Sequence, residues 1–581
     1  MDDYLLQVLK PARYIGEEWN VSRKDFDQAQ IKFALCFPDL YEVGMSNLGM
    51  RILYGILNQL VGVCCERFFS PAHDMEAVLR AKQMEIFSLE SKRTLREFDL
   101  IGFSLGYELS YTNVLNILNL GNIPLKSALR DASYPLVIAG GPCVLNPEPL
   151  HEFFDIFVIG EAEEVILEIV DLYRKENPSF RSGKISKEEF LIMFSQIEGV
   201  YVPSLYSVTY DSEGHLQEFK PRYKEVSPKI KKRLIKNLNQ SYFPLDWLVP
   251  FIQIVHDRLI LEIMRGCPNR CRFCQARSLY FPFRIRDPDV ISALACQLYQ
   301  NTGYEEISLV GLSASDHPQI EEILKILINS FKEKKIAVSL PSIKPKEMVG
   351  NLATLISQIK KTGLTFAPEA AREKLRQVLH KDFDLVEFFR VLEQSFIAGY
   401  QHLKLYFMIG LPFEEEDDLN AIIELANQAS ELRRKVAKFP AQVNLSINTL
   451  IPKPHTAFQW FQMEDLENIR VKQGFLKKQN RYKRIKLSFH HPEMSFLEGV
   501  IARGDRRLSQ VIEGAFIKGA RFDGWENYFV FTKWQEAFFE AGIDPKVYLK
   551  QRSKDELLPW DFIDPGISKE DLFEEYNKTI A

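Results

Sequence analysis

The stretch Leu259-Ile-Leu-Glu-Ile-Met-Arg-Gly-Cys-Pro-Asn-Arg-Cys-Arg-Phe-Cys-Gln275 joins an apolar run to three closely spaced cysteines, Cys267, Cys271 and Cys274. Residues 259–264 read as a buried β-strand, and the cysteines beyond it follow the spacing C-x3-C-x2-C. Three thiolates so placed can hold three irons of a cubane iron–sulfur cluster, which leaves the fourth iron without a protein ligand. An open coordination position is where a metal takes up substrate or cofactor. A structural zinc site would need a fourth Cys or His close by. The flanking histidines, His256 and His317, stand outside the loop.

Working outward, residues 306–312, 336–340, 364–367, 403–409 and 443–450 read as five further strands, with helical patterns at 288–301 and 318–334. Apolar strands alternating with helices indicate βα units around a parallel sheet. In barrels of parallel strands the chemistry lies at the strands' carboxyl ends, and the cysteine loop follows the first strand.

The cysteine spacing, the aromatic Phe273 before the third cysteine and the six βα units resemble the radical S-adenosylmethionine (SAM) enzymes. That resemblance implies a partial (β/α)6 TIM-like barrel over residues 251–480. It implies a 4Fe–4S cluster on Cys267, Cys271 and Cys274 whose open iron chelates the amino and carboxylate groups of SAM. An electron from the cluster then breaks a carbon–sulfur bond and releases a 5′-deoxyadenosyl radical. An electron donor such as flavodoxin or ferredoxin is implied with it. Other strand ends match the family: Ser313 and Ser315 for the SAM amino group, Glu369 for the ribose or methionine part, Arg372 for the carboxylate and Gly410 for adenine. Read from the residues alone, Ser315 or Asp316 caps the next helix and Glu369 is an acid at a helix N-terminus. Lys453-Pro-His455 resembles a sixth-strand ending, with His455 either facing substrate or structural.

Residues 1–180 alternate again, with strands at 32–37, 64–69, 99–104, 136–139 and 154–159. This is a Rossmann-like, doubly wound α/β pattern, which binds ligands beyond its carboxyl ends. Its loops resemble the cobalamin-binding domain that often precedes a radical SAM barrel: Ser104, Gly140-Gly141-Pro142 and Gly160-Glu-Ala-Glu163. The first loop, Asp39-Leu-Tyr-Glu-Val-Gly44, departs from D-x-H-x-x-G. Asp39, Tyr41 and Gly44 keep the spacing, but Tyr41 lacks the neutral imidazole donor, so a bound cobalt would have no histidine below it. The alternative is a domain that only shapes the substrate cleft. A second cluster, as in methylthiolating relatives, would have to draw on Cys36, Cys64, Cys65 and Cys143, whose spacing is uneven.

Residues 181–250 read as a connector with a strand pair turning at Asp211-Ser-Glu-Gly214, and 481–581 as a mixed, mostly helical C-terminal region. Nearly the whole chain resembles an uncharacterised family of fused cobalamin-domain/radical SAM proteins. The 581 residues are 46% hydrophobic and 26% charged, with a net charge of −5, an ordinary globular composition. No apolar run of membrane-spanning length and no signal peptide stand out, and an exposed cluster needs reduced thiols, so a cytoplasmic setting is expected. The expected activity is radical cleavage of SAM followed by cobalamin-dependent methylation of an unactivated carbon. A cobalamin-independent radical SAM enzyme is the alternative. A cluster-bearing RNA-binding or assembly protein, using the basic runs at 229–236 and 477–486, is a third reading. The substrate class, whether RNA, peptide or small molecule, stays open.

Overall fold

The computed structural model describes residues 2–340 and 364–580. Strands β1 (Ile31–Phe37), β2 (Val63–Phe69), β3 (Leu100–Ser104), β4 (Leu136–Gly140), β5 (Ile156–Val158) and β6 (Val200–Tyr201) make one sheet in the order β2-β1-β3-β4-β5-β6. Every pair is parallel except β5 with β6. β1 is buried along nearly its whole length, as expected where helices cover both faces of a parallel sheet. The strand order reverses between β1 and β3, and a sheet of this kind takes ligands at that point, outside its carboxyl ends. Helix Leu48–Gln59 follows β1, opened by Asn47, whose side chain accepts from Met50 N.

The connector carries the expected hairpin, β7 (Tyr206–Tyr210) against β8 (Leu216–Pro221), and then β9 (Ile230–Lys231). The second α/β unit begins with β10 (Leu259–Glu262). A short antiparallel ribbon, β11 (Met264–Arg265) with β12 (Arg284–Ile285), flanks the cysteine loop. β10, β13 (Glu306–Val310) and β14 (Ala337–Ser339) form a parallel group of three. β15 (Leu364–Glu369), β16 (His402–Ile409), β17 (Gln442–Thr449) and β18 (Ile485–Phe489) form a parallel group of four.

β18 corrects the expectation for the C-terminal region, since it adds a seventh strand to the six anticipated. Its Ile-Lys-Leu-Ser-Phe alternation shows one apolar face, the mark of a half-buried edge. A further strand, β19 (Ile563–Asp564), returns to pair with β9. Helix Lys569–Ile580 then docks on the barrel, where Phe573 and Tyr576 pack against the fully buried Trp460. The chain end is thereby brought to the outer side of the cysteine loop.

Candidate active site

The cysteine loop leaves the barrel at Gly266, whose φ is +84°. A Cβ there would stand 2.7 Å from Tyr280 O and 2.9 Å from Pro282 O, so only glycine fits the left-handed turn against the returning chain. Beyond it, Cys267, Cys271 and Cys274 are partly exposed. Asn269 Nδ2 lies 3.2 Å from Cys267 Sγ and donates to Asp316 Oδ2 at 2.6 Å. Arg272 N donates to Leu379 O, and His380 Nδ1 lies 3.0 Å from Arg270 O. Phe273 packs on a small core that includes Leu375, Leu379, Met408 and Leu450. The loop is thus pinned to the carboxyl ends of β15–β17.

Burial pushes the Cys271 thiol up to about 11, against the pull of the Lys381 ammonium, and also raises Cys274. Among the described residues no three His, Cys, Asp or Glu side chains converge as for a single ion. A cubane instead takes each thiolate on a different iron, and three soft donors on one partly exposed loop suit it. His317 is bonded through both ring nitrogens, Nε2 to Arg286 O and Nδ1 to Gln319 N, and so is committed to the backbone.

Two charged groups face this loop. Glu369 ends β15 at a register shift with φ +65°, an uncommon conformation for a residue with a side chain. Burial raises its carboxyl, and Lys381 Nζ stands 3.5 Å away. Both act electrostatically on Cys271. Lys381 belongs to no sequence motif and was missed by sequence reasoning. Ser313 and Ser315 are buried beyond the end of β13. Neither Ser315 nor Asp316 caps the next α-helix, which starts at Ile320 with Gln319 before it; Ser313 precedes the short 3-10 turn Ala314–Asp316 without a side-chain cap bond, and Asp316 is held by Asn269. Gly410 ends β16 with φ +74°, and its N–H donates to Glu414. Arg372 instead lies half-exposed beside Asp418, 3.4 Å away at the start of the next helix.

Arg265 and Arg284 stand opposite one another in the β11–β12 ribbon, and every cysteine of the loop lies between them in sequence. Both hold Glu161 of the N-terminal sheet: Arg284 Nη2 at 2.6 Å from Oε1 and Arg265 Nη1 at 3.2 Å from Oε2. Arg265 also meets Glu163 at 2.8 Å and Glu262 at 2.9 Å. From the connector, the buried Lys232 donates to Ser278 O and Phe281 O. Arg277 pairs through both guanidinium nitrogens with Glu575.

Glu161, Glu163, Glu262 and Arg265 help to wall a cavity of about 310 Å³ at the carboxyl ends of the N-terminal sheet. Its lining takes in Leu35, Ile52, Leu57, Ser104, Ile138, Gly140, Gly141, Val158, Gly160, Glu161, Glu163, Glu262, Arg265 and Tyr280. That volume is at the lower end of small-molecule sites and suits the nucleotide part of a cobalamin, not the whole cofactor. Gly141, at φ +105°, could carry no side chain without meeting Leu105 O at 2.7 Å. A larger depression of about 820 Å³ lies outside helix Leu48–Gln59, but its Arg233 and Lys231 are already paired with Glu164, Glu168 and Glu198.

Of the six residues expected at a cobalamin, Ser104, Gly140 and Gly141 line the cavity and Asp39, Tyr41 and Gly44 do not. Tyr41 turns inward, its hydroxyl donating to Glu18 at 2.9 Å, and Gly44 is packed under the Phe69 ring. Asp39 accepts from Trp525 Nε1 at 2.9 Å. His455 is buried, with Nε2 3.1 Å from Leu145 O, and joins the two α/β units. Beside it, Lys453 lies 2.5 Å from Glu108 and 2.8 Å from Glu498, which also accepts from Tyr107. Arg503 and Arg506 are spent on backbone carbonyls and on Glu148, a structural network. Cys36, Cys64, Cys65 and Cys143 are all buried, on β1, on β2 and after β4, so no partly exposed loop gathers three of them as one does Cys267, Cys271 and Cys274. In the two basic runs Lys231 is paired with Glu198, Arg233 with two glutamates and Arg484 with Glu431.

Residues 49–203 match the family model described as radical SAM proteins, N-terminal, and residues 261–426 match that of the radical SAM superfamily. An uncharacterized protein of Methanocaldococcus jannaschii, MJ0966, is 27% identical over 485 residues, 83% of this chain and 90% of its own. Among solved structures, TsrM of Kitasatospora setae, a radical S-adenosylmethionine methyltransferase with cobalamin and a [4Fe-4S] cluster bound, aligns over 72% of each chain at 13% identity and TM-score 0.44. OxsB, a cobalamin-dependent S-adenosylmethionine radical enzyme, covers 95% of this chain and 84% of its own at 10% identity and TM-score 0.46. No helix among the described residues is long and apolar enough to cross a membrane.

Proposed function

We propose that this chain, an enzyme that belongs to the radical SAM superfamily, cleaves S-adenosylmethionine at a 4Fe–4S cluster on Cys267, Cys271 and Cys274 and uses a cobalamin to methylate an unactivated carbon. The bound cluster supplies the electron that releases a 5′-deoxyadenosyl radical, and a cobalamin supplies a carrier for the methyl group. The chain's own residues supply position and shelter. Asn269 sets the orientation of the Cys267 sulfur and ties it to the end of β13. Ser313 and Ser315 offer acceptors for the SAM ammonium, Glu369 an acceptor for its ribose or methionine part, and Gly410 backbone close to adenine. Lys381 balances the buried Glu369 charge beside the loop.

The observation that carries the two-cofactor reading is a shared wall. The cavity at the end of the N-terminal sheet is lined by Arg265 and Tyr280, which bracket the three cysteines in sequence. A ligand there lies against the loop that holds the cluster. We place the enzyme in a reducing cytoplasm, where the three thiols stay free, with a flavodoxin or ferredoxin as electron donor. Anaerobic reconstitution with SAM, dithionite and hydroxocobalamin tests the reading: 5′-deoxyadenosine and S-adenosylhomocysteine should both form, the second only with corrinoid present.

One observation favours a cobalamin-independent enzyme as the second reading. Trp525 covers Asp39 at the end of β1, and Tyr41 points away from the cavity. A smaller nucleoside-like ligand would then fill the cavity, and the protein would lose all corrinoid on desalting.

A further inference from the structure

We propose that Glu161 is a positioning residue that makes the geometry of the cluster depend on what fills the N-terminal cavity; the coupling rests on the two-cofactor reading above. The cysteine loop is a closed neck. Its two ends, Arg265 and Arg284, are register partners in a two-residue ribbon, and Gly266 presses the outgoing strand against Tyr280 O and Pro282 O. Glu161 clasps both arginines, Arg284 through both carboxylate oxygens and Arg265 through Oε2. Among the described residues, none of the barrel or the loop does so. Glu161 comes from the N-terminal sheet, stands in the cavity wall and is 8% exposed.

The clasp has few ways to absorb a displacement. Arg265 is already engaged by Glu163 and Glu262 as well. Arg284, 9% exposed, has Glu161 as its one carboxylate among the described residues, and losing it would leave a poorly solvated charge uncompensated, which costs far more than breaking an exposed pair. A ligand that moves Glu161 therefore moves the neck of the loop or loses contact with it. Coupling of this kind is reciprocal: whatever binding in the cavity does to the cluster, assembling the cluster does to binding in the cavity.

The test uses hydroxocobalamin as the cavity probe on three full-length proteins, wild type, Arg284→Met and Glu161→Gln. Arg284 is outside the cavity lining, so its replacement breaks the clasp without touching the probe. In wild type, cluster-loaded protein should retain corrinoid roughly tenfold more tightly than cluster-free protein, and corrinoid should shift the spin resonance of the reduced cluster. In Arg284→Met that ratio, taken per cluster bound, should fall to about one. An equal ratio in wild type and Arg284→Met would overturn the coupling. If wild type retains no corrinoid in either form, the cobalamin reading and the coupling both fail, and the positioning role is judged on ligand-free spectra. Glu161→Gln should then alter the reduced-cluster spectrum and Glu161→Asp restore it. A Glu161→Gln spectrum identical to wild type would overturn the positioning role too.

Discussion

Lys381 Nζ lies 3.5 Å from Glu369 Oε1, and both charges of this part-buried pair act on Cys271. Glu369 is held in a left-handed conformation at the end of β15, the kind of local strain that persists where the surroundings over-determine it. Charge-assisted hydrogen bonds contribute about 1.5–3 kcal/mol each, which is roughly ten- to hundredfold in binding. Glu369→Gln and Lys381→Met should each lower SAM cleavage by about that factor at unchanged iron content. Wild-type rates of 5′-deoxyadenosine formation in both variants would remove the pair from the site.

Gly140 tests the cavity. It lines the space, and a Cβ added to it meets nothing closer than Val158 O at 3.7 Å. Gly140→Leu should therefore fill the cavity without straining the chain. Corrinoid retention should fall at least roughly tenfold while the cluster absorbance stays, a loss of about 1.4 kcal/mol or more. Undiminished retention would place the corrinoid elsewhere.

Gly266 tests the neck of the loop. With φ at +84° and Tyr280 O 2.7 Å from a would-be Cβ, Gly266→Ala must shift backbone rather than a side-chain tip. Iron content after reconstitution should drop, whereas Gly474→Ala, with open space around it, should assemble normally.

The joint between the two α/β units should be acid-sensitive. Burial lowers the His455 imidazole to about 4 from its ordinary 6.5. As pH falls through 6.5 the unfolded chain takes up a proton that the folded one refuses until about 4, so stability is lost across that window. The full shift corresponds to about 3 kcal/mol, of which roughly 2 are gone by pH 5. His455→Gln should flatten the acid limb of the stability curve between pH 7 and 5, measured by denaturant or thermal unfolding; an unchanged slope would assign the acid loss to other groups.

Much of this was legible in the sequence, for identifiable reasons. β1 and β10 are buried along nearly their whole length and stand out as apolar runs bounded by loops, whereas β16 alternates at its start and is apolar only towards its end. The cysteine motif is local, so its spacing alone marks the loop proposed to hold the cluster. β18 was misplaced because an edge strand shows only a five-residue alternation. Tyr41 keeps the spacing of a cofactor loop, yet its hydroxyl finds Glu18 in the core, and spacing carries no information on side-chain direction. Lys381 follows a short helix without any pattern, and Arg265 meets Glu161 across about a hundred residues of chain. Such contacts are fixed by the packing of two domains and leave no periodic trace.

The most direct test of the central claim is the electron spin resonance of the reduced, reconstituted protein before and after addition of SAM, which needs no knowledge of the substrate. One 4Fe–4S cluster per chain with an open iron predicts a signal that shifts when SAM binds and that is absent from Cys271→Ala. A signal unmoved by saturating SAM, or the same signal from Cys271→Ala, would contradict the account.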